Sequence, residues 1–329
     1  MPLIAAGSVA LAALGDRLVA EPPARYHPVA WLGRALGPLD RPWRRPRLAG
    51  VATALLVPLL AAGAVAGVVA VGSRLDPLAG GALAGLVLFV STSRRMLVAE
   101  ARAVVAASES DLPAARTRLR SLAGRDAAPL SAGEVRSAAV ESAAENLSDG
   151  LVAPLAGFAL LAPFSLPAAA GAAAWVKAVN TLDSTFGYRS VPMGWAPARL
   201  DDAVMFLPAR ASAVLLSVVA GRPGALRRAR PLARRPASPN AGWPMATLAV
   251  ALDVRLTKPD AYDLSEDRRS SDGEASETPR VTDEAGDSLT ESDDAGPALP
   301  TPADATRGVA VVSRAGWLAF GLAGVIALC

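Results

Sequence analysis

The sequence predicts an all-α fold: a polytopic helical membrane protein with re-entrant or broken helices and helical cytoplasmic loops. Three observations carry this. Of the 329 residues, 52% are hydrophobic and only 5% aromatic, and the mean hydropathy is +0.33, too apolar for an ordinary soluble domain. Residues 49–72 run for 24 positions without a charge, where roughly 20 suffice to cross the bilayer core at ~1.5 Å per residue. The later apolar runs are interrupted by Pro154, Pro163, Pro167, Pro208 and Arg210, which bend or break a span.

The elements follow in order. Residues 2–20 read as a short first membrane helix and 21–48 as a Pro/Arg-rich loop. The span at 49–72 contains Pro58, a kink position, and a Gly-rich second span at 77–93 ends at Arg94-Arg95. Residues 96–149 mix apolar and charged positions and read as soluble helices with a break at 111–113. Ser131 stands three residues before Glu134, the spacing of a capping box. The uncharged stretch 151–176 is either one bent span or two half-helices in a re-entrant hairpin. Residues 177–202 are polar, 203–221 apolar, and 222–258 basic. The core thus covers 1–262. An acidic stretch at 263–300, rich in Ser, Asp, Glu, Gly and Pro, reads as a disordered insertion. The segment 301–329 closes with an apolar membrane helix at 315–329.

The net charge of +3 hides an asymmetry: residues 260–297 hold 13 acids and 3 arginines, leaving 17 acids against 30 basic residues elsewhere. A basic body with apolar spans suits a lipid bilayer with an anionic surface, or phosphorylated substrates. Nucleic acid is not expected as a partner, because no basic run is interleaved with aromatics. The single cysteine, Cys329, excludes an internal disulfide framework. The single histidine, His27, excludes a multi-histidine metal centre, so a metal would be held by carboxylates and amides, which suits Mg²⁺.

The most basic loops, 16–48, 94–150 and 222–258, are expected in the cytoplasm. If 151–176 and 203–221 each crossed the membrane, the polar loop between them would face away from residues 141–149. A re-entrant 151–176 with a non-crossing 203–221 removes that conflict. Arg210 favours it, since a lipid-facing arginine costs several kcal/mol.

Five polar clusters stand against this background. Residues 15–34 offer Asp16, His27 and Arg34, either as a Pro-rich surface loop or as an extended Tyr26-His27-Pro28 segment that aims an imidazole. In ESAAENLSDG, Glu141, Glu145 and Asp149 fall at i, i+4 and i+8, with Asn146 and Ser148 beside them. On a helix the three acids span about 80° of arc. A solvated face is the ordinary fate of such a run, but like charges at this spacing repel and no basic residue lies within 137–150, so a bound Mg²⁺ is the natural relief. KAVNTLDSTFGYRS places Lys177, Asn180, Asp183 and Ser184 near helical spacing, before an exit turn with Arg189. ARLDDAVMFLPAR puts Arg199, Asp202, Phe206 and Arg210 on one face, readable also as a plain Arg–Asp ladder. SPNAGWP carries Asn240 and Trp243 in a turn. Asn and Asp gathered with Lys and Arg at the ends of membrane segments suggest phosphate and Mg²⁺ handling, without any GxxxxGK[ST] loop.

Taken together, ESAAENLSDGLVAPL, KAVNTLDSTFGYRS, ARLDDAVMFLPAR and SPNAGWPMA, in this order, resemble the signature blocks of adenosylcobinamide-phosphate synthase. GDRLVAEPPARYHPVAWLGR is similar to that family's opening block, and the likeness covers residues 1–260. The resemblance implies an integral-membrane amide ligase of cobalamin biosynthesis. Such an enzyme joins the propionate of adenosylcobyric acid to aminopropanol phosphate, or to aminopropanol, with ATP as a substrate and Mg²⁺ as cofactor. It further implies a multi-pass protein of the cell membrane with a cytoplasmic active site, and other membrane enzymes of cobalamin assembly as a further class of partner. Carried over to this chain, Glu141, Asp149 and Asp202 would hold Mg²⁺, with Asp183 as an alternative ligand or a catalytic carboxylate. Lys177, Arg189, Arg199 and Arg210 would clamp phosphates. Asn146, Asn180 and Asn240 would orient carboxylate or amide groups, and Glu145 or His27 would be the base. Two positions depart from the family pattern: Met245 follows Pro244 where Glu is usual, and Met205 stands where Asn is usual. The other readings are a Mg-dependent membrane prenyl- or phosphotransferase, which would need repeated Asp motifs in two matching bundles, and a non-catalytic scaffold, which would tolerate acid-to-amide changes.

Overall fold

Prolines mark where the first helices begin. α1 (Pro2–Leu18), α2 (Pro28–Leu36), α3 (Pro46–Leu75) and α4 (Pro77–Ser91) each carry Pro in the first turn, where the missing N–H is not needed and the fixed φ suits the helix. The computed structural model describes residues 1–19, 21–123, 126–187, 191–266 and 297–329. α3 runs on through Pro58. After α4 come α5 (Arg94–Ser110), α6 (Leu112–Leu122) and α7 (Ala132–Leu147), the last opened by the Ser131–Glu134 capping box that the spacing predicts. A π-helical turn, Ser148–Val152, leads into α8 (Ala153–Leu161) and α9 (Leu166–Phe186). Then follow α10 (Trp195–Val204), α11 (Phe206–Val219), α12 (Ala225–Leu232) and α13 (Gly242–Leu252). A short antiparallel hairpin, β1 (Thr257–Lys258) with β2 (Tyr262–Asp263), and α14 (Pro302–Ala327) complete the order.

Among the described residues, α3, the combined stretch Pro77–Ser110 and α14 are long and apolar enough to cross a membrane. α10 and α11 form a fourth candidate, bent by 47°. The chain is therefore a polytopic helical membrane protein. α8 and α9 fold back on each other across residues 162–165: Gly157 faces Val176 and the Ala172 carbonyl, and Ser165 caps α9 by accepting from Ala168 N. Of the two sequence alternatives for 151–176, the structure holds the hairpin.

Four readings change. Residues 96–110, read as a soluble helix, follow α4 in the stretch Pro77–Ser110 and bury one stripe of Leu97, Val98, Ala101, Val104 and Val105. The last helix begins 13 residues earlier than expected, at Pro302; Arg307 does not interrupt it, because it pairs with Asp304 and donates to the Leu252 carbonyl. The basic stretch 222–258 contains α13, an apolar helix whose Met245, Ala246, Thr247 and Leu248 are buried. Residues 267–296 of the acidic insertion lie outside the described residues. Its flanks are built into the fold: Arg228 forms a two-pronged ion pair with Glu266, Arg255 N donates to Ala298 O, and Arg136 donates to Pro300 O.

Two polar locks tie the layers together. Asp16 of α1, 2% exposed, accepts from Arg94 Nε at 2.9 Å and Arg95 N at 2.8 Å. Arg94 in turn donates to Ser313 and lies 4.0 Å over the Trp317 ring of α14. On the other face, Glu141 is wholly buried and accepts from Ser137 Oγ and Tyr262 OH, each at 2.7 Å.

Candidate active site

The hairpin decides what meets what. By returning α9 alongside α8, it brings Lys177 within electrostatic reach of Asp149, and Asp149 within reach of Glu145 and Asp183. The bend at Met205 is packed against Ala153 and Val176. It places Asp201 within reach of Asp149, Asp183, Glu145 and Asp202. Five carboxylates thus lie together at the base of the hairpin. Asp201 Oδ1 is buried with no hydrogen-bond partner among the described residues.

Asp149 belongs to the π turn, outside the spanning segments. Burial, reinforced by Glu145 and Asp183, pushes its carboxyl up to about 8. Isolated carboxylates titrate near 4, so the neutral form is favoured at neutral pH.

Two open clefts adjoin this line of acids. One, of about 540 Å³, is lined by Glu21, His27, Thr92, Ser93, Met96 and Lys177. Burial raises the Glu21 carboxyl against the opposing pull of Lys177 and of a hydrogen bond from Ser93. His27 caps α2, its Nδ1 accepting from Val29 N at 3.2 Å. That bond fixes the tautomer, leaving the proton on Nε2. Nε2 is buried, 3.8 Å from Glu21 Oε2 and without a hydrogen bond among the described residues. Burial and Lys177 together lower the imidazole pKa. His27 is therefore held in the neutral form, with Nε2–H as its donor.

The second cleft, of about 440 Å³, is lined by Arg199, Asp202, Arg210, Arg234, Pro239 and Trp243. Arg210 is held rigidly. It donates to Asn240 Oδ1 at 2.6 Å and to Phe206 O at 2.8 Å, and stacks 3.6 Å over the Phe206 ring. Asn240 Nδ2 donates to Asp202 O, so this turn residue ties α10 to α11 and has both ends of its amide engaged. Arg199 reaches Asp202 at 3.9 Å. A larger groove of about 590 Å³ beside α14, lined by Glu109, Arg307 and Arg314, holds none of these residues.

Of the residues singled out in the sequence, Glu145, Asp149, Lys177, Asp183 and Asp202 are brought together, with Asn180 on α9 between Lys177 and Asp183. His27 joins through the first cleft; Arg199, Arg210 and Asn240 join through the second. Asn146 spends its amide N–H on the Ser142 carbonyl. Glu141 is turned away to the hairpin β1–β2, and Arg189 lies outside the described residues. Sequence reasoning passed over Glu21 and Arg234, and met Asp201 only as half of the Asp201-Asp202 pair that invites the prenyltransferase reading. Asp201 was legible as the first half of an Asp-Asp pair next to a bend, whereas nothing in sequence spacing marks the other two. No three side chains of Asp, Glu, His or Cys among the described residues converge closely enough to form a metal cage on their own.

The departures from the resembled pattern are both packed apolar positions. Met205 is 1% exposed at the bend, and Met245 is buried with its sulfur 3.9 Å from Tyr262 OH.

Comparison with known proteins identifies the family. The model of the CobD/Cbib protein family matches residues 9–287. The cobalamin biosynthesis protein CobD of Mycobacterium tuberculosis is 43% identical over 255 residues, covering 73% of this chain and 77% of that protein. That of Geobacter metallireducens is 39% identical over 273 residues, covering 78% and 83%. The probable cobalamin biosynthesis protein CobD of Methanothermobacter thermautotrophicus is 36% identical over 264 residues, covering 78% and 85%. No solved structure matches the chain. With the family model covering most of its length and these relatives matched across most of theirs, the chain belongs to the CobD/Cbib family.

Proposed function

We propose that this protein acts in cobalamin biosynthesis as an ATP-dependent amide ligase of the cell membrane. It joins the propionate of adenosylcobyric acid to aminopropanol phosphate, or to free aminopropanol, at a site on the cytoplasmic side. The observation that carries the reading is a cationic cleft and a nearly neutral, apolar-walled cleft linked by one line of carboxylates. The names of the relatives support the pathway, and the signature blocks support the reaction.

A carboxylate does not condense with an amine in water, because oxide is a poor leaving group. Attack of the propionate oxygen on the γ-phosphorus of ATP forms an acyl phosphate and releases ADP. The amine nitrogen then attacks the acyl carbon, phosphate departs with the C–O bonding electrons, and the surplus amine proton passes to a base. In this scheme Arg199 and Arg210 hold phosphate oxygens through charge-assisted hydrogen bonds. Lys177 draws the propionate toward the carboxylate line, and His27 donates from Nε2 to a substrate oxygen. With His27 Nδ1 already engaged, the base is Glu145, half-buried at the end of α7.

Mg²⁺ fits the donor set. It binds through one or two carboxylates plus substrate phosphates rather than through an all-protein cage. Asp149 and Asp202, with Asp183 near, would hold it, and it would neutralise charge on the phosphates. The test is direct: purified protein with adenosylcobyric acid, Mg-ATP and each amine form should yield the cobinamide product. No product with either amine would sink the reading. Asp183→Asn should abolish ligation; full activity in that variant removes Asp183 from the site.

A further inference from the structure

We infer that the cleft between α10, α11 and the 233–243 turn holds the triphosphate of ATP, and that Arg234 grips it alongside Arg199 and Arg210. This rests on the ligase reading and assigns one substrate to one of its two clefts. Charge separates them. The α10–α11 cleft presents three arginines against Asp202, and Arg234 is exposed with no ion pair of its own among the described residues. The other cleft sets Lys177 against Glu21, with a neutral His27 and walls of Pro22, Val29, Val90 and Met96. A polyphosphate carrying about four charges is favoured by the first and gains little from the second.

Preorganisation points the same way. Arg210 is fixed by Asn240, Phe206 and Pro239, and its guanidinium lies 5.1 Å from the Trp243 ring. Little side-chain entropy remains to be lost when it receives a phosphate. Gly242, next to Trp243, approaches the carbonyl of Ala233, next to Arg234, too closely for any Cβ. That contact sets Arg234 and Trp243 on one rim, with Pro236 and Pro239 as apolar surface beside them. The cleft therefore offers three cationic arms for phosphates beside the apolar side chains of Pro239 and Trp243. A single phosphate, such as that of aminopropanol phosphate, would leave most of those arms unused.

The experiment measures equilibrium binding to the full-length protein in detergent for ATP, tripolyphosphate, aminopropanol phosphate and inorganic phosphate, using wild type, Arg234→Gln and Arg234→Glu. Loss of one charge-assisted contact should weaken ATP and tripolyphosphate by about tenfold or more. The KM for ATP should rise while the KM for aminopropanol phosphate stays put. Arg234 is exposed, so both variants should melt like wild type. If wild type binds and consumes ATP and Arg234→Glu does so equally well, the assignment is overturned and the ligase reading stands. A selective loss of aminopropanol phosphate binding in either variant also overturns it, handing the cleft to the other substrate. Wild-type protein that neither binds nor consumes ATP overturns the ligase reading and this assignment together.

Discussion

Replacing Asp149 with asparagine should make the ligand-free protein more stable and destroy its activity. The carboxyl is pushed up to about 8 from 3.8. A group whose folded-state pKa is raised contributes stability that is fully present below its unfolded pKa, near 4, and lost as pH rises through about 8. At ~1.36 kcal/mol per unit, the ionised unfolded form gains on the folded form by up to ~4 kcal/mol at pH ~7. Local relaxation, water penetration and the lost attraction to Lys177 cut this, so a net gain of roughly 1–2 kcal/mol is expected. That corresponds to a rise of several degrees in Tm, on the order of 2–4 °C per kcal/mol for a chain of moderate size. The assay is thermal unfolding of both proteins in detergent without divalent cations, at about pH 5.5 and about pH 8.5. The gap should widen toward the higher pH, and Mg²⁺ with a nonhydrolysable ATP analogue should narrow it by stabilising wild type alone. A variant that melts below wild type, or a gap that ignores pH, would refute the account of the carboxylate line.

Three further outcomes follow from the geometry. Asp16→Ala leaves Arg94 buried without its partner, so unfolding free energy should fall by about 3–5 kcal/mol; a loss under about 1 kcal/mol in a chemical melt would show that the pair holds little. His27→Asn keeps a side chain able to cap α2 but withdraws the donor from the Glu21 cleft. Stability should hold while turnover drops at least about tenfold, and an unimpaired rate would reduce His27 to a helix cap. Gly187→Ala drives a Cβ into the carboxylate and carbonyl of Asp183; turnover should fall on the order of a hundredfold from misplacement, read against an almost unchanged melting curve.

Long charge-free runs were the most legible part of the fold, because burial in lipid demands them over a fixed length. The spans at 49–72 and 77–93 lie within α3 and the α4–α5 stretch, and the capping box at Ser131 opens α7. α13 was hidden because its 11 residues are too few for a membrane signal and its neighbours are arginines; only tertiary packing reveals that face as core. α14 was read short because Arg307 and Arg314 interrupt the apolar run, although a helix emerging from the membrane is free to carry charges where it meets polar partners. The site shows the same divide. Glu145, Asp149, Lys177 and Asp183 could be picked out as charges that an apolar chain does not place idly. Glu141 looked equivalent by spacing, yet it stands about 80° around the helix from Asp149 and turns toward the β1–β2 hairpin, where Ser137 and Tyr262 absorb it.

The fate of Glu141 and the hairpin answer one question between them: how Asp149, in the turn after α7, can work with a lysine 28 positions later on a different helix. Had α8 and α9 continued as one straight span from Ala153, Lys177 would stand about 36 Å along the axis from Ala153 at ~1.5 Å per residue, more than a hydrocarbon core away. The turn at 162–165 cancels nearly all of that distance, and the Pro163–Pro167 stretch that argued against a straight helix is what permits it. The bend at Met205 does the same for α10 and α11, returning Asp201 and Asp202 to the hairpin's base. Both departures from straight helices therefore serve one end, collecting charge in a single place, and the repulsion so created is the stored cost that an Asp149→Asn melt would expose.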